Sequence, residues 1–433
     1  MGTDEAAEQL AVSVLGEARA GKFEQITGWF APSLRGLVPA EGLRAAWAAR
    51  TGGLGAIVSA GAPVSQAAGP GAVVVRVPVT AEHGSFTLAA SVADGWLAGL
   101  EITPGTEAPP VPAVQPWQSP GYADPAAFAE HDVAVGTGPR AVPGTLSLPR
   151  APGPHAAVVL LTGSGAHDRD ETIGQNKPFK DLAWGLATRG LAVLRYDKVT
   201  YVHGQEVARD PGFTEADEYV PDAVAAIALL RRHPDVDRHR IFVLGHSQGG
   251  TVAPRVATAE PAVAGLVIMA GGAEPMAWAA VRQLRYLAAL TPEPDPVKVA
   301  AAGTMARQAA LIDGPGLTLD TPASELPFGV PPAYWLDQRG YDPVATAAAL
   351  PQPLLFLQGG RDYQVTVPDD LDRWRAGLAG RPDVTFTVLD DDNHLFFTGT
   401  GPSSPAEYEP PQHVDPAVIG TIAGWVAATA SRA

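Results

Sequence analysis

Ser247 stands between Gly245 and Gly249 in RIFVLGHSQGGTVAPRVA, with an apolar run before it and a helical pattern after it. This is the G-x-S-x-G spacing, and its context is a strand that turns directly into a helix. The turn is tight, so the positions two residues either side of the serine must be small, and glycine fills both. Serine alone is a weak nucleophile and needs a base that is oriented by a third group. In a strand–turn–helix arrangement of this kind the partners follow in the order Ser, Asp or Glu, His, each just after a strand. The run PLLFLQG ends in GRDYQV, which puts Asp362 in the acid position, and VTFTVLD ends in DDNHLF, which puts His394 in the base position. Asp390, Asp391 and Asp392 are rival acids, but they lie close enough to His394 to shape its own loop. His413 is a rival base in a proline-rich loop with no strand before it. His246, the variable position of the motif, is expected to pack or hydrogen-bond beneath the turn.

Charge that develops on a carbonyl oxygen needs donors aimed at it. One is expected from the backbone N–H of Gln248, directly after the serine. The second is expected from the loop TGSGAHDRDE that follows the apolar run AAVVLLTG, with Ser164 as the donor and Gly165 as the alternative. The same loop carries His167, Asp168, Arg169, Asp170 and Glu171. Such a run is either a solvated face or a place where Arg169 pairs with a carboxylate and fixes the loop, and RYDK (Arg195 to Lys198) has the same two readings. The chemistry these residues could perform is acyl transfer from a small-molecule carboxylic ester to Ser247 and then to water.

The elements that must hold these residues alternate. After HDVAVG and AVPGTLSLP, read as a hairpin, apolar strands (AAVVLLTG, LAVLRYD, RIFVLGH, VAGLVIMAG, PLLFLQG, VTFTVLD) alternate with helical patterns, and PAVIGTIAGWVAATA closes the chain. Near-continuous apolar strands between helices indicate an α/β fold with a mostly parallel sheet buried on both faces. Ligands in such sheets bind beyond the carboxyl ends of the strands, where the serine, acid and base candidates fall. About 80 residues separate LVIMAG from PLLFLQG, too many for an ordinary connection. They are read as an inserted helical lid, about 273–350, whose aromatic residues (Trp278, Tyr286, Phe328, Tyr334, Trp335) either pack the lid or line a pocket.

Ahead of this comes a smaller α+β region, 1–104. Residues 3–57 have helical spacing with Thr3 as a candidate cap, and three strands follow in AVVVRVPVT, GSFTLAASVA and GWLAGLEI. A proline-rich stretch, 105–124, serves as linker or surface strap before a catalytic domain over 125–433. A homodimer contact and an outer wall of the acyl pocket are the two roles open to the N-terminal domain.

Composition narrows the classes. With 46% hydrophobic and 18% charged residues among 433, the chain can fill a sizeable core. A net charge of -16 without a basic run argues against a nucleic-acid partner. No cysteine is present, and no H-E-x-x-H spacing, so no metal site is expected. The glycines match neither dinucleotide nor P-loop spacing, so no cofactor is expected. No apolar run is long enough for a membrane span. MGTDEAAEQL has no basic start and no apolar stretch, so a cytoplasmic location is expected, with export open if a leader has been removed.

LLTGSGAHDRDE, NKPFKDLAWGLATRGLAVLRYDK, IFVLGHSQGG, YWLDQRGYDPVATAAAL, LFLQGGRDYQV and DDDNHLFF together resemble a branch of the α/β-hydrolase superfamily, the EstD-like bacterial carboxylesterases with an extra N-terminal domain. The resemblance covers about 125–430. It implies a serine hydrolase using Ser247, Asp362 and His394. The first hundred residues are similar to the small domain found ahead of such hydrolases, and their order suggests a nuclear-transport-factor-like fold. Many members are exported, and the missing leader departs from that pattern. Acyltransferase, lactonase or cyclase activity in natural-product metabolism, peptidase activity, and ligand binding on a hydrolase scaffold are the competing functions.

Overall fold

The computed structural model describes residues 3–69, 71–105, 116–290 and 295–430. The chain divides into two compact units: Met1–Gln115 with Ala280–Pro332, and Pro116–Ala279 with Ala333–Ala433.

The first unit begins with the helices Thr3–Arg19, Phe23–Trp29 and Ala40–Thr51. The strands β1 (Ile57–Ala60), β2 (Val64–Gly69), β3 (Ala72–Ala81), β4 (Gly84–Ala93) and β5 (Trp96–Pro104) follow. All pairings are antiparallel: β1 and β2 lie along successive halves of β3, then come β4 and β5. The three expected strands are β3, β4 and β5. The pair β1 and β2 is an addition: they act as one edge strand interrupted at 61–63, too short and too exposed to show a period of two, with Val58 and Val64 both open to solvent. The side chain of Thr3, expected as a cap, and residues 106–115 of the proline-rich stretch lie outside the described residues. The core of this unit is apolar, built from Val14, Phe23, Ile26 and Phe30 of the helices against Val75, Val77, Phe86 and Leu88 of the sheet.

The second unit holds eight strands: β6 (Phe128–Val135), β7 (Val142–Pro149), β8 (His155–Leu161), β9 (Ala192–Tyr196), β10 (Val236–His246), β11 (Gly265–Met269), β12 (Leu354–Gly359) and β13 (Val384–Leu389). Their order is β13-β12-β11-β10-β8-β9-β7-β6, parallel from β13 to β9, with the β6–β7 hairpin antiparallel at one edge. Alternate residues, Val158 and Leu160, Phe242 and Leu244, Leu355 and Leu357, enter one core with the helices Pro178–Thr188 and Pro416–Ala430. The intervening residues are buried too and point to the other face. There the helices Glu215–Arg232 and Gln248–Ala259 pack on β10. The chain leaves β8 for β9 on one side and returns to β10 on the other. The carboxyl ends of β8 and β10 therefore lie at the point where strand order reverses, the place where such sheets bind ligands.

The expected lid contains the helices Met276–Ala288, Pro296–Asp313, Pro332–Arg339 and Pro343–Ala349. It does not form a single appendage of the eight-stranded sheet, because its middle, Ala280–Pro332, groups with the first unit. The cause is a close helix pair within that unit. Pro296–Asp313 packs on Ala40–Thr51, and a Cβ on Gly42 would come within 3.1 Å of the Val297 Cα.

Candidate active site

β10 ends at His246, and the next residue, Ser247, has φ 53° and ψ −122° before the helix Gln248–Ala259 begins. A non-glycine residue in this region is strained, and here the surroundings enforce it. A side chain at Gly245 would overlap the Gly249 carbonyl, and one at Gly249 would overlap the carbonyls of Leu161 and Thr162. The flanking glycines are thus steric requirements. The Ser247 N–H donates to Met269 O (2.9 Å), which pins the turn to the end of β11.

His394 and Asp362 meet after β13 and β12. His394 Nδ1 lies 2.7 Å from Asp362 Oδ2. Asp362 is buried, and its oxygens also accept from the Gln364 N–H (2.7 Å), the Val365 N–H (3.0 Å) and Gln358 Nε2 (3.1 Å). Four donors around one carboxylate fix its orientation. A carboxylate only accepts, so Nδ1 of His394 carries a hydrogen, and in the neutral ring Nε2 keeps its lone pair. That tautomer can receive a proton. The rivals are occupied elsewhere: His413 Nδ1 lies 3.1 Å from both oxygens of Asp181, and Asp392 accepts from Thr398 Oγ1 (3.3 Å). Burial beside Asp415 pushes Asp392 up to about 7.

Gln248 is the first residue of its helix, where backbone N–H groups have no intrahelical acceptor. Ser164 is exposed at the end of β8, and the adjacent Gly163 is so close to the serine that a Cβ there would lie 3.1 Å from Ser247 Cβ. The Gly163 N–H is already committed, donating to Glu171 Oε1 (2.6 Å). Gly165, the alternative donor, has φ 97°, which glycine tolerates.

Much of what holds this loop was not singled out from sequence. Lys198, fully buried after β9, donates to the carbonyls of Gly163 (2.9 Å) and Gly165 (3.1 Å) and to the Tyr219 hydroxyl (2.7 Å), and pairs with Glu218 (3.0 Å). Burial pulls the Lys198 ammonium down from its ordinary range, against the attraction of Glu218. Gln248 Nε2 donates to Glu215 (2.7 Å) and to the Tyr334 hydroxyl (2.7 Å), and Tyr334 donates to Glu218 (2.6 Å). Tyr334 was read as a lid aromatic; it serves instead as a polar strut. Burial pushes Glu215 up, although Gln248, Gln338 and Arg255 oppose this. Arg169 pairs with Asp197 through Nε and Nη2 (2.9 Å each) and bonds Thr145 (2.9 Å), so the charged run is loop scaffolding and not a solvated face. Asp168 accepts from Thr172 (2.6 Å) within the same loop. The remaining signal in the sequence was the density of charge in HDRDE and RYDK just after two strands. Among the described residues no group of three or more His, Asp or Glu could hold a metal ion, and no helix is long and apolar enough to cross a membrane.

The chain is similar to several known proteins. The Hydrolase_4 family, described as serine aminopeptidase, S33, matches residues 153–307. Esterase EstD of Thermotoga maritima is 37% identical over 333 residues, which is 77% of this chain and 74% of that protein. Among solved structures, Est1E from Butyrivibrio proteoclasticus is 13% identical, with a TM-score of 0.44 over 69% of this chain and 99% of its own. The Pyrococcus furiosus esterase PF2001 is 17% identical, with a TM-score of 0.44 over 73% of this chain and 97% of its own.

Proposed function

The chain belongs to the EstD family of α/β-hydrolases, and from that premise we propose that it is a serine carboxylesterase working through an acyl-enzyme on Ser247. His394 Nε2 takes the serine proton as Oγ attacks the ester carbonyl, then returns it to the leaving alcohol. Asp362 holds the imidazole in the tautomer that can do this and stabilises the imidazolium that forms. The N–H groups of Gln248 and Ser164 receive the charge on the carbonyl oxygen, each worth about 10²–10³ in rate. Water then repeats the sequence on the acyl-enzyme, and the acid product leaves.

The observation that carries this reading is a histidine whose Nδ1 lies 2.7 Å from a four-fold hydrogen-bonded aspartate, in a chain whose strand–helix turn holds a strained serine, φ 53°. A fluorophosphonate should label Ser247, and Ser247→Ala should lose labelling and about 10⁴–10⁶ of kcat on p-nitrophenyl esters while keeping its melting temperature. An alanine variant retaining a tenth of the wild-type rate would sink the assignment. The serine aminopeptidase description of the matching family supports a second reading, cleavage of aminoacyl amides by the same residues. Comparing p-nitrophenyl esters of increasing chain length with aminoacyl amides decides between them.

A further inference from the structure

We propose that Glu171 and His246 form a buried carboxylate–imidazolium pair that positions the catalytic groups, tying the loop after β8 to the loop that carries His394. The proposal rests on the serine-hydrolase reading above and concerns residues to which that mechanism gives no part.

The argument starts from donor accounting. His246 Nε2 lies 2.9 Å from the His394 carbonyl oxygen. A carbonyl only accepts, so Nε2 carries a hydrogen. His246 Nδ1 lies 3.0 Å from Glu171 Oε1, and that same oxygen takes the Gly163 N–H at 2.6 Å. So short an N–H···O distance is characteristic of an ionised acceptor. Glu171 Oε2 is buried with no partner, so a proton placed there would be an unsatisfied donor. A carboxylate receiving hydrogen bonds from Gly163 and from a doubly protonated His246 satisfies these atoms; a neutral pair with the proton on Oε1 would satisfy them too, and the state of His246 Nδ1 separates the two. Burial opposes charge on both groups. Even so, the imidazolium holds Glu171 below its ordinary range, and the carboxylate holds His246 above its own.

The placement gives the pair its role. His246 immediately precedes Ser247. Through its two ring nitrogens it reaches the loop that supplies Ser164 and the main chain of the base. Asp362 holds the other end of His394, the ring. The two histidine rings stand 4.8 Å apart, and Phe179 and Phe396 close the remaining sides at 6.4 Å. The charged and titratable groups acting on the pair are Asp362 and His394 from the loops after β12 and β13, His167 from the loop of Glu171 itself, and Lys198 after β9. Glu171 has φ 51°, a conformation uncommon for a non-glycine residue and held here by its surroundings.

The pair is intact above the lowered range of Glu171 and below the raised range of His246. As pH rises through the latter, the ring loses one of its two N–H donors, and one of the two loops is released. The test uses the full chain. His246→Gln and Glu171→Gln should lower kcat by about 10²-fold, the scale of a small misplacement of reacting groups, with little change in KM. The wild type should show an alkaline fall in kcat that His246→Gln lacks. In wild-type protein with ¹⁵N-labelled histidine, both ring nitrogens of His246 should be protonated at neutral pH, a readout that survives if either variant fails to fold. Variants with wild-type kcat and an unaltered pH profile would overturn the proposal. A His246 ring with one bare nitrogen at neutral pH would overturn it as well. Failure of the wild type to react with fluorophosphonate would instead count against the serine mechanism and leave the nitrogen measurement standing.

Discussion

The two units bury very different things beneath their sheets. Among the described residues of the first unit, Thr87 and Gln308 are the buried polar side chains, and the rest of its core is aliphatic and aromatic. The second unit buries Asp170, Glu171, Arg195, Lys198, Glu215, Glu218, His246, Asp362 and His394. Both sheets are stable solutions to the same problem of covering apolar faces, so a sheet does not require buried charge. Ionised groups taken from water cost free energy unless paired and hydrogen-bonded, and even paired they rarely exceed an apolar core in stability. Part of this buried polarity lies together, while Asp181 is buried elsewhere, against Trp117 and His413. Glu171, Lys198, His246, Asp362 and His394 follow or end strands at the carboxyl edge of the sheet. On the proposed mechanism, the difference teaches that this polarity fixes atoms for chemistry, at some expense in stability.

If that comparison is right, site substitutions should move rate without stability, and core substitutions of the first unit should do the reverse. After loss of the nucleophile itself, the largest expected effect is at Asp362. Asp362→Asn keeps an acceptor for the Gln364 and Val365 N–H groups but turns an amide donor toward His394. The imidazole then presents Nδ1 as acceptor and holds its hydrogen on Nε2, the wrong tautomer for a base. Steady-state kinetics should show kcat reduced by about 10³–10⁴-fold, with the melting temperature unchanged or raised. A collapse in melting temperature would break the comparison, because it would make the carboxylate a structural element.

The converse test is Phe86→Ala. Phe86 is buried in the first unit, edge-on to Trp47 at a centroid distance of 5.8 Å. Its removal should cost about 3–5 kcal/mol of stability by transfer and cavity terms. Amide hydrogen exchange over 72–104 should accelerate, while fluorophosphonate labelling of Ser247 below the melting temperature stays at the wild-type rate. Slower labelling at that temperature would show that the two units are thermodynamically coupled.

What could be read from the chain follows the range of the interactions involved. Ser247, Asp362 and His394 each sit a few residues after an apolar strand, and strand ends are local signals. The steric need for Gly245 and Gly249 is likewise contained within five residues. The Glu171–His246 contact spans 75 residues and the Lys198–Gly163 contact 35. Nothing in the local pattern of HDRDE or RYDK says which oxygen meets which donor, although the charge density marked both loops. The helix Pro296–Asp313 lies inside the stretch, about 273–350, read as a helical lid, and it groups with the first unit. Its partner is the surface opened by Gly42, and a missing side chain far away in sequence leaves no local trace. The edge strands β1 and β2 were lost for the opposite reason: with so little burial, neither face imposes a period.

The smallest expected effect lies at Thr214, where the two classes of residue meet. Thr214 and Asp217 form a capping box at the start of the helix Glu215–Arg232: the Asp217 N–H donates to Thr214 Oγ1 (3.1 Å) and the Thr214 N–H donates to Asp217 Oδ2 (3.0 Å). The cap itself lies at the surface. The first turn behind it carries Glu215, Glu218 and Tyr219, which hold Gln248, Tyr334 and Lys198. Thr214→Ala removes one partner for the helix N-terminus and should cost about 1 kcal/mol, read as a small drop in melting temperature. If the buried acids serve only to keep the helix in place, kcat should not change. If they aim the loop of Ser164 and the side chain of Gln248, fraying of this turn should lower kcat by a few-fold with labelling of Ser247 slowed in parallel. Wild-type kcat in a Thr214→Ala protein of measurably lower stability would confine the positioning role to Glu171 and His246, and would leave Glu215 and Glu218 as charges buried for the fold alone.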